Sequence, residues 1–284
     1  MAIPTHALDD IRLLIFDLDG TLIDSRKDLA LSVNAMREQM NMARLPDETV
    51  SSYVGQGVAT LIRRALADGA VAEVTDATVQ KATAFFLEHY GAHLLDHTVA
   101  YNGVREALEE LKHRKLAVLS NKPAGFSRAI LAGLGLEDYF SFIYGGNSFE
   151  QKKPDPVGVI KLMVATAVQT RQTLMVGDSD TDVLTGRNAG VWTCGVLYGL
   201  GSHTLEAVPP DVLVRDLREL PRLLNRQKQI KGPRSEAKSE TPDGPNVRSD
   251  KRVDASRQSS NLPDRRQKGR RSQRQTASKH QKKT

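Results

Sequence analysis

The residues best placed to do chemistry stand at the end of an apolar run, Ile11-Arg12-Leu13-Leu14-Ile15-Phe16, which continues as Asp17-Leu18-Asp19-Gly20-Thr21-Leu22. Such a run is the pattern of a strand buried on both faces of a parallel sheet. Ligands of open α/β sheets bind beyond the carboxyl ends of their strands, which is where Asp17 and Asp19 fall. Two carboxylates there attract a hard cation, and a carboxylate assisted by a divalent ion can attack phosphorus. The competing reading is a plain strand followed by an Asp-Gly turn, common in α/β proteins. This stretch alone does not separate the two.

Three later stretches do. Leu116-Ala117-Val118-Leu119-Ser120-Asn121 is an apolar run ending in a hydroxyl. Lys152-Lys153-Pro154-Asp155-Pro156 sets lysine before a proline-opened helix, and Thr173 to Asp182 is a further strand ending in the acid cluster Asp178, Asp180, Asp182. Acid pair, hydroxyl, lysine and acid cluster, in that order, resemble the four motifs of the haloacid dehalogenase superfamily of phosphotransferases. The resemblance covers about residues 8–225.

That resemblance implies roles. Asp17 is the expected nucleophile, forming an aspartyl-phosphate that water then hydrolyses. Asp19 is expected to protonate the leaving alkoxide and then deprotonate the attacking water. The dehalogenase branch lacks this second acid, so its presence argues for phosphoryl transfer. Mg²⁺ would be held by the Asp17 carboxylate, the Asp19 backbone carbonyl and Asp178, with Asp182 positioning the ion or its waters. Asp180 lies on a different helix face and carries less weight. Ser120 is expected to donate to a phosphate oxygen, helped by backbone amides near Leu18 and Asn121, and Thr21 is a further expected substrate-binding residue. Lys153 neutralises charge at the reaction centre; Lys152 is its rival, but the family pattern sets the lysine directly before proline.

These groups need a scaffold to hold them. From Asn102 onward strands alternate with helices, including strands near Leu116–Ser120, Phe142–Tyr144, Thr173–Val176, Val191–Val196 and Asp211–Val214. That alternation predicts an α/β, doubly wound parallel (Rossmann-like) sheet. Between Asp24 and Asp96 only helical spacing is found. Asp24-Ser25 can cap a helix to about Met40, and further helices are expected near Asp47–Tyr53, Val58–Ala67 and Asp76–Leu95. The expected organisation is a core domain over 1–23 and 97–225, a helical cap domain over 24–96, and a disordered basic C-terminal tail over 226–284.

An insertion between the first two motifs resembles the type-one cap of this superfamily. The run from Ser52 through Gly55-Gln56-Gly57 to Arg63-Arg64-Ala65-Leu66 resembles the cap loop of bacterial phosphoglycolate phosphatases. So do Tyr101-Asn102-Gly103-Val104 and Gly195-Val196-Leu197-Tyr198-Gly199, although Asn102 stands where proline is usual. Gly55 of that loop is expected at the substrate, and Arg63 or Arg64 could reach a substrate carboxylate; a solvated helix face is the plainer reading of each. The resemblance implies a Mg²⁺-dependent phosphatase of a small phosphorylated metabolite, 2-phosphoglycolate first. The alternatives are another capped phosphatase or sugar-phosphate mutase and, from a different class, a nucleic-acid-associated protein acting through its tail. His89, His93 and His97 recur at four-residue spacing, but a solvated helix end is favoured over zinc because no acid accompanies the pattern.

Charge divides the chain. Residues 226–284 hold 18 Lys+Arg against 6 Asp+Glu, a net of +12, whereas the first 225 carry −6. The tail has no aromatic residue and seven apolar ones, too few to offset the entropy of ordering it. Non-specific, salt-sensitive contact with polyanions is the binding it could support. The single cysteine, Cys194, excludes an intramolecular disulfide and reads as a packed thiol. The N-terminus lacks a signal-peptide pattern and no apolar run approaches the ~20 residues that span a bilayer, so a cytoplasmic enzyme with no membrane partner is expected. Deleting residues 226–284 is expected to leave kcat on a small phosphate ester nearly unchanged, because every motif precedes the cut. A large loss of kcat in stable truncated protein would show that the tail reaches the active site.

Overall fold

The first strand, β1 (Leu13–Phe16), is buried at every position. After it come β2 (Ile23–Asp24), α1 (Arg26–Gln39), α2 (Asp47–Ser51), α3 (Val58–Ala67), α4 (Asp76–Ala92) and β3 (Val99–Ala100). The α/β alternation then runs α5 (Val104–Leu111), β4 (Lys115–Leu119), α6 (Ala124–Gly133), β5 (Phe142–Tyr144), α7 (Val157–Thr166) and β6 (Thr173–Gly177), followed by α8 (Asp180–Asn188), β7 (Trp192–Val196), β8 (Val212–Val214) and α9 (Glu219–Leu224). This computed structural model describes residues 8–69 and 73–225, all within one compact unit. The expected tail over 226–284, and any polyanion contact through it, lies outside the described residues.

Six strands form one parallel sheet in the order β5-β4-β1-β6-β7-β8. With β1 at its centre, Asp17 and Asp19 emerge between the ends of β4 and β6, which carry Ser120 and Asp178. Alternation along the strands fills both faces of the sheet. Leu14, Phe16, Leu116, Val118, Leu174 and Val176 join one apolar cluster with α5 and α9. Leu13, Ile15, Ala117, Leu119 and Met175 join the other beneath α7. Burying a side chain of this kind contributes about 1.5–3 kcal/mol, so these layers fix the strand register that aligns the motifs. Cys194 packs in the first of these clusters, where burial pushes its thiol up to about 12.

A third cluster belongs to the helices between β2 and β3, with Leu29, Val33, Met36, Leu61, Ile62, Phe86 and Tyr90 among its members. Phe86 stacks on Tyr90 at 5.5 Å, and Tyr90 meets Phe126 of α6 edge-on at 5.7 Å. Two findings depart from the sequence reading. Asp24 ends a strand, because Ile23 and Asp24 pair antiparallel with Ala100 and Val99 where the chain leaves and re-enters the core. Ser25 precedes α1 but does not cap it; its hydroxyl donates to Asp19 Oδ1 at 2.5 Å. The histidines form no metal group among the described residues: His89 bonds Ser32, and His93 bonds Asp96, so an acid does accompany the pattern, contrary to the sequence reading.

The same junction carries a buried clasp. Asp28, in the first turn of α1, accepts at Oδ2 from the backbone N–H groups of His97 and Thr98 at 3.0 and 2.8 Å and from the Thr98 hydroxyl at 2.7 Å. Buried donors without an acceptor cost about 1–3 kcal/mol each. Asp28→Ala is therefore expected to lower unfolding stability by about 2–4 kcal/mol, with Asp28→Asn losing less because it keeps an acceptor oxygen. Denaturant midpoints compared at constant m check this.

Candidate active site

The site is built on a buried lysine. Lys153 Nζ lies 2.6 Å from Asp17 Oδ1 and 2.6 Å from Asp182 Oδ1. The backbone of Lys153 is fixed twice by the Asn121 side chain, whose Oδ1 accepts from its N–H at 3.0 Å and whose Nδ2 donates to its carbonyl at 3.1 Å. Lys152 is exposed. Asp182 is held in turn from α8, with Oδ2 accepting from the Ser179 backbone N–H at 3.1 Å and its hydroxyl at 2.7 Å. Asp178, at the end of β6, accepts from the Gly201 N–H at 2.7 Å.

Asp17, Asp178 and Asp182 are buried together, with one oxygen of each within 4.8 Å of the others. These three carboxyl groups, which together would carry three negative charges when ionised, face one lysine. Burial pushes Asp17 up to about 6 against the pull of Lys153, and burial plus the neighbouring acids raise Asp178 well above the carboxylate range. Burial by itself would lower Lys153, but the charges of Asp17 and Asp182 outweigh it and raise its affinity for a proton. An excess of two negative charges among hard oxygen donors is matched by a divalent cation. The donor set fits one. Gly20 lets the chain approach this closely: at φ +88° it occupies the left-handed region, and a Cβ there would stand 2.2 Å from Asp178 Oδ2.

Asp19 is not part of the acid cluster. Its Oδ1 accepts from the Ser25 hydroxyl, and its two oxygens lie 2.9 and 3.1 Å from Lys122 Nζ. Lys122 is buried, its ammonium 4.6 Å from the centre of the Tyr90 ring. Burial opposes its charge, but the Asp19 carboxylate outweighs that and holds the lysine protonated. The sequence reading passed over Lys122. The available signal was its position two residues after Ser120, on the loop that closes the acid pair.

Above these groups is a cavity of about 60 Å³, several times the ~10–15 Å³ that one ordered water needs. Asp17, Asp19, Ser120, Lys122, Lys153 and Asp178 form its polar floor. Leu29, Val54, Val58, Leu61, Phe86 and Tyr90 form an apolar roof from α1, α3, α4 and the loop before α3. Gly55 reaches the cavity in a left-handed conformation at φ +114°, and its carbonyl accepts from Asn121 Nδ2 at 2.9 Å.

Three expected site residues are not brought there. Arg63 is exposed and pairs with Asp76 at 2.5 Å. Arg64 bonds Gln56 at 2.8 Å and lines a separate depression with Ser52, Tyr53 and Asp68. Both point away because the apolar face of α3 is the face that covers the cavity. Thr21 is fully buried beneath the site, where its carbonyl accepts from the Tyr198 hydroxyl at 2.8 Å. Asp180 also stays apart, bonded to Thr181.

The sequence profile of the haloacid dehalogenase-like hydrolases matches residues 14–196. The chain is 38% identical over 216 residues to a phosphoglycolate phosphatase of Chromobacterium violaceum, covering 75% of this chain and 96% of that protein. It is 40% identical over 214 residues to a phosphoglycolate phosphatase of Pseudomonas putida, covering 74% and 78%. Among solved structures, a predicted phosphoglycolate phosphatase from Haemophilus somnus superimposes with a TM-score of 0.72 at 31% identity, covering 75% of this chain and 98% of that one. The order of the motifs, their convergence at the end of β1 and these likenesses agree: the chain belongs to the haloacid dehalogenase-like hydrolases and is a phosphatase of that family.

Proposed function

We propose that this phosphatase hydrolyses 2-phosphoglycolate to glycolate and phosphate through a phosphorylated Asp17. The observation that carries the reading is Asp17 itself, a buried carboxylate on the cavity floor, 2.6 Å from a lysine and beside a second, separately held carboxylate. The choice of substrate is supported by relatives named phosphoglycolate phosphatases, which align over 216 and 214 residues. The small cavity suits a two-carbon ester.

In this reading an Asp17 oxygen attacks phosphorus and the ester P–O bond breaks. Asp19 takes up the proton of the phosphate monoanion as the ester binds and passes it to the departing alkoxide, while the Ser25 hydroxyl and Lys122 hold the side chain in place. Water then attacks the acyl phosphate while Asp19 accepts its proton, releasing phosphate and restoring Asp17. Lys153 offsets charge on the nucleophile and the phosphoryl oxygens, and the Ser120 hydroxyl donates to one of those oxygens. Asp17, Asp178 and the Asp19 carbonyl would hold Mg²⁺, with Asp182 positioning the ion or its waters. When bound, that ion offsets the repulsion between an anionic nucleophile and an anionic phosphate. The apolar roof keeps bulk water from the phosphorylated aspartate until the leaving group has gone.

Two measurements test this. A panel of phosphorylated metabolites assayed with Mg²⁺ is expected to rank 2-phosphoglycolate first, and Asp17→Asn is expected to abolish turnover in protein that stays folded. Substantial activity in Asp17→Asn would exclude the covalent route. Separately, Mg²⁺ added to chelator-treated protein is expected to raise Tm, by an amount corresponding to about 2.7 kcal/mol at a hundredfold excess over Kd. Asp178→Asn should lose most of that rise; an undiminished rise would place the ion elsewhere.

A further inference from the structure

The roof supplies no charge for the carboxylate of a phosphorylated hydroxy acid. Of the residues lining the cavity, the basic ones are Lys122 and Lys153. Lys153 is committed to Asp17 and Asp182, at the point of attack. Lys122 has a different setting. It lies on the cavity wall, its single carboxylate partner is Asp19, and the Tyr90 ring covers its charge from the roof. An ammonium carries three donors. The two Asp19 oxygens engage two of them and the third is turned to the Tyr90 side chain at the roof, where an anion entering the cavity would compete for it.

We propose that Lys122 is the specificity residue that reads an anionic group on the carbon next to the leaving oxygen. The assignment rests on the reading of Asp19 as the acid that protonates that oxygen and of 2-phosphoglycolate as substrate. A group that protonates the leaving oxygen must lie within hydrogen-bond distance of it. Lys122 Nζ stands 2.9 Å from that same carboxylate. A carboxylate one carbon from the ester oxygen therefore falls within reach of the ammonium. Tyr90 contributes through its ring face, which favours a cation beneath it, and its ring is itself held between Phe86 and Phe126. Discrimination of α-phosphooxy carboxylates is thus assigned to the core loop after β4 rather than to arginines of the cap.

The test pairs side chain with substrate. kcat/KM is measured for 2-phosphoglycolate and for its neutral amide, 2-phosphoglycolamide, in the wild type, Lys122→Met and Lys122→Arg, all with Mg²⁺. Lys122→Gln replaces Lys122→Met should that variant not accumulate as folded protein. A hydrogen bond to a charged group corresponds to about ten- to a hundredfold in affinity. The wild type is expected to prefer the acid over the amide by about that factor, Lys122→Met to lose the preference mainly through KM for the acid, and Lys122→Arg to recover part of it. A role confined to positioning Asp19 would slow both substrates equally and leave the ratio intact, which would overturn the assignment while the function stands. A wild type that does not distinguish acid from amide would also overturn the assignment, whereas failure of 2-phosphoglycolate as substrate would show separately in its rank among the phosphorylated metabolites.

Discussion

Everything at this site depends on one buried ammonium. Three carboxylates cannot share a water-poor pocket without compensation, because taking each out of water costs several kcal/mol. Lys153 supplies the compensation the chain itself makes, contacting Asp17 and Asp182 at once. Its placement is over-determined. Asn121 grips the backbone of Lys153 from both sides, and Asn121 also holds the Gly55 carbonyl of the cap loop. One side chain therefore ties the lysine, the loop after β4 and the cap together. Asp182 is anchored from the other side by Ser179 at the start of α8. Removing one partner of such a buried group costs about 3–5 kcal/mol, so the arrangement is rigid for the same reason that it is electrostatically active.

The cap is joined to this floor by polar contacts and covers it with apolar ones. Asp28 clasps the returning strand segment, Ser25 reaches Asp19, and β2 pairs with β3 across the crossing. Each of these lies at the two chain crossings between core and helices. Farther out the contacts are Leu29, Val58, Leu61 and Phe86, which offer no hydrogen bond to a ligand. A roof of this kind excludes water and leaves recognition to the floor.

The division between what could and could not be read from the sequence follows from the range of the interactions. The run from Leu13 to Phe16 announced its strand because burial on both faces leaves no polar position. Asp17, Asp178, Lys153 and Ser120 were legible because each sits at a fixed place relative to a strand or proline. α3 was legible to the residue because its apolar positions recur at helical spacing. β2 and β3 were not, since two residues carry no period; the pairing exists only because the chain crosses there twice. The hydroxyl of Ser25 has the local pattern of a helix cap, but a carboxylate nearby in space outcompetes the backbone N–H groups. Arg63 and Arg64 followed a glycine loop and suggested an anion site; their direction depended on which face of α3 packs inward, and that face is set by tertiary contact.

The two buried lysines are alike in burial and differ in what surrounds them. Lys153 belongs to a group of three carboxylates and one ammonium, with a net charge of −2, so the unmet requirement there is for positive charge. Lys122 and Asp19 form a matched pair with no excess. A divalent cation is consequently drawn to the first group and has no reason to approach the second, although both lie on the floor of one small cavity. Once the cation is in place the floor as a whole is neutral. In the proposed reading a phosphate ester then enters as the excess charge, met by the ammonium groups of Lys153 and Lys122 and by the Ser120 hydroxyl on the same floor. Separating the lysines onto different carboxylates would let one serve the phosphoryl group while the other faces the rest of the molecule. A second lysine on the acid cluster would have cut its charge from −2 to −1 and weakened its attraction for a divalent ion.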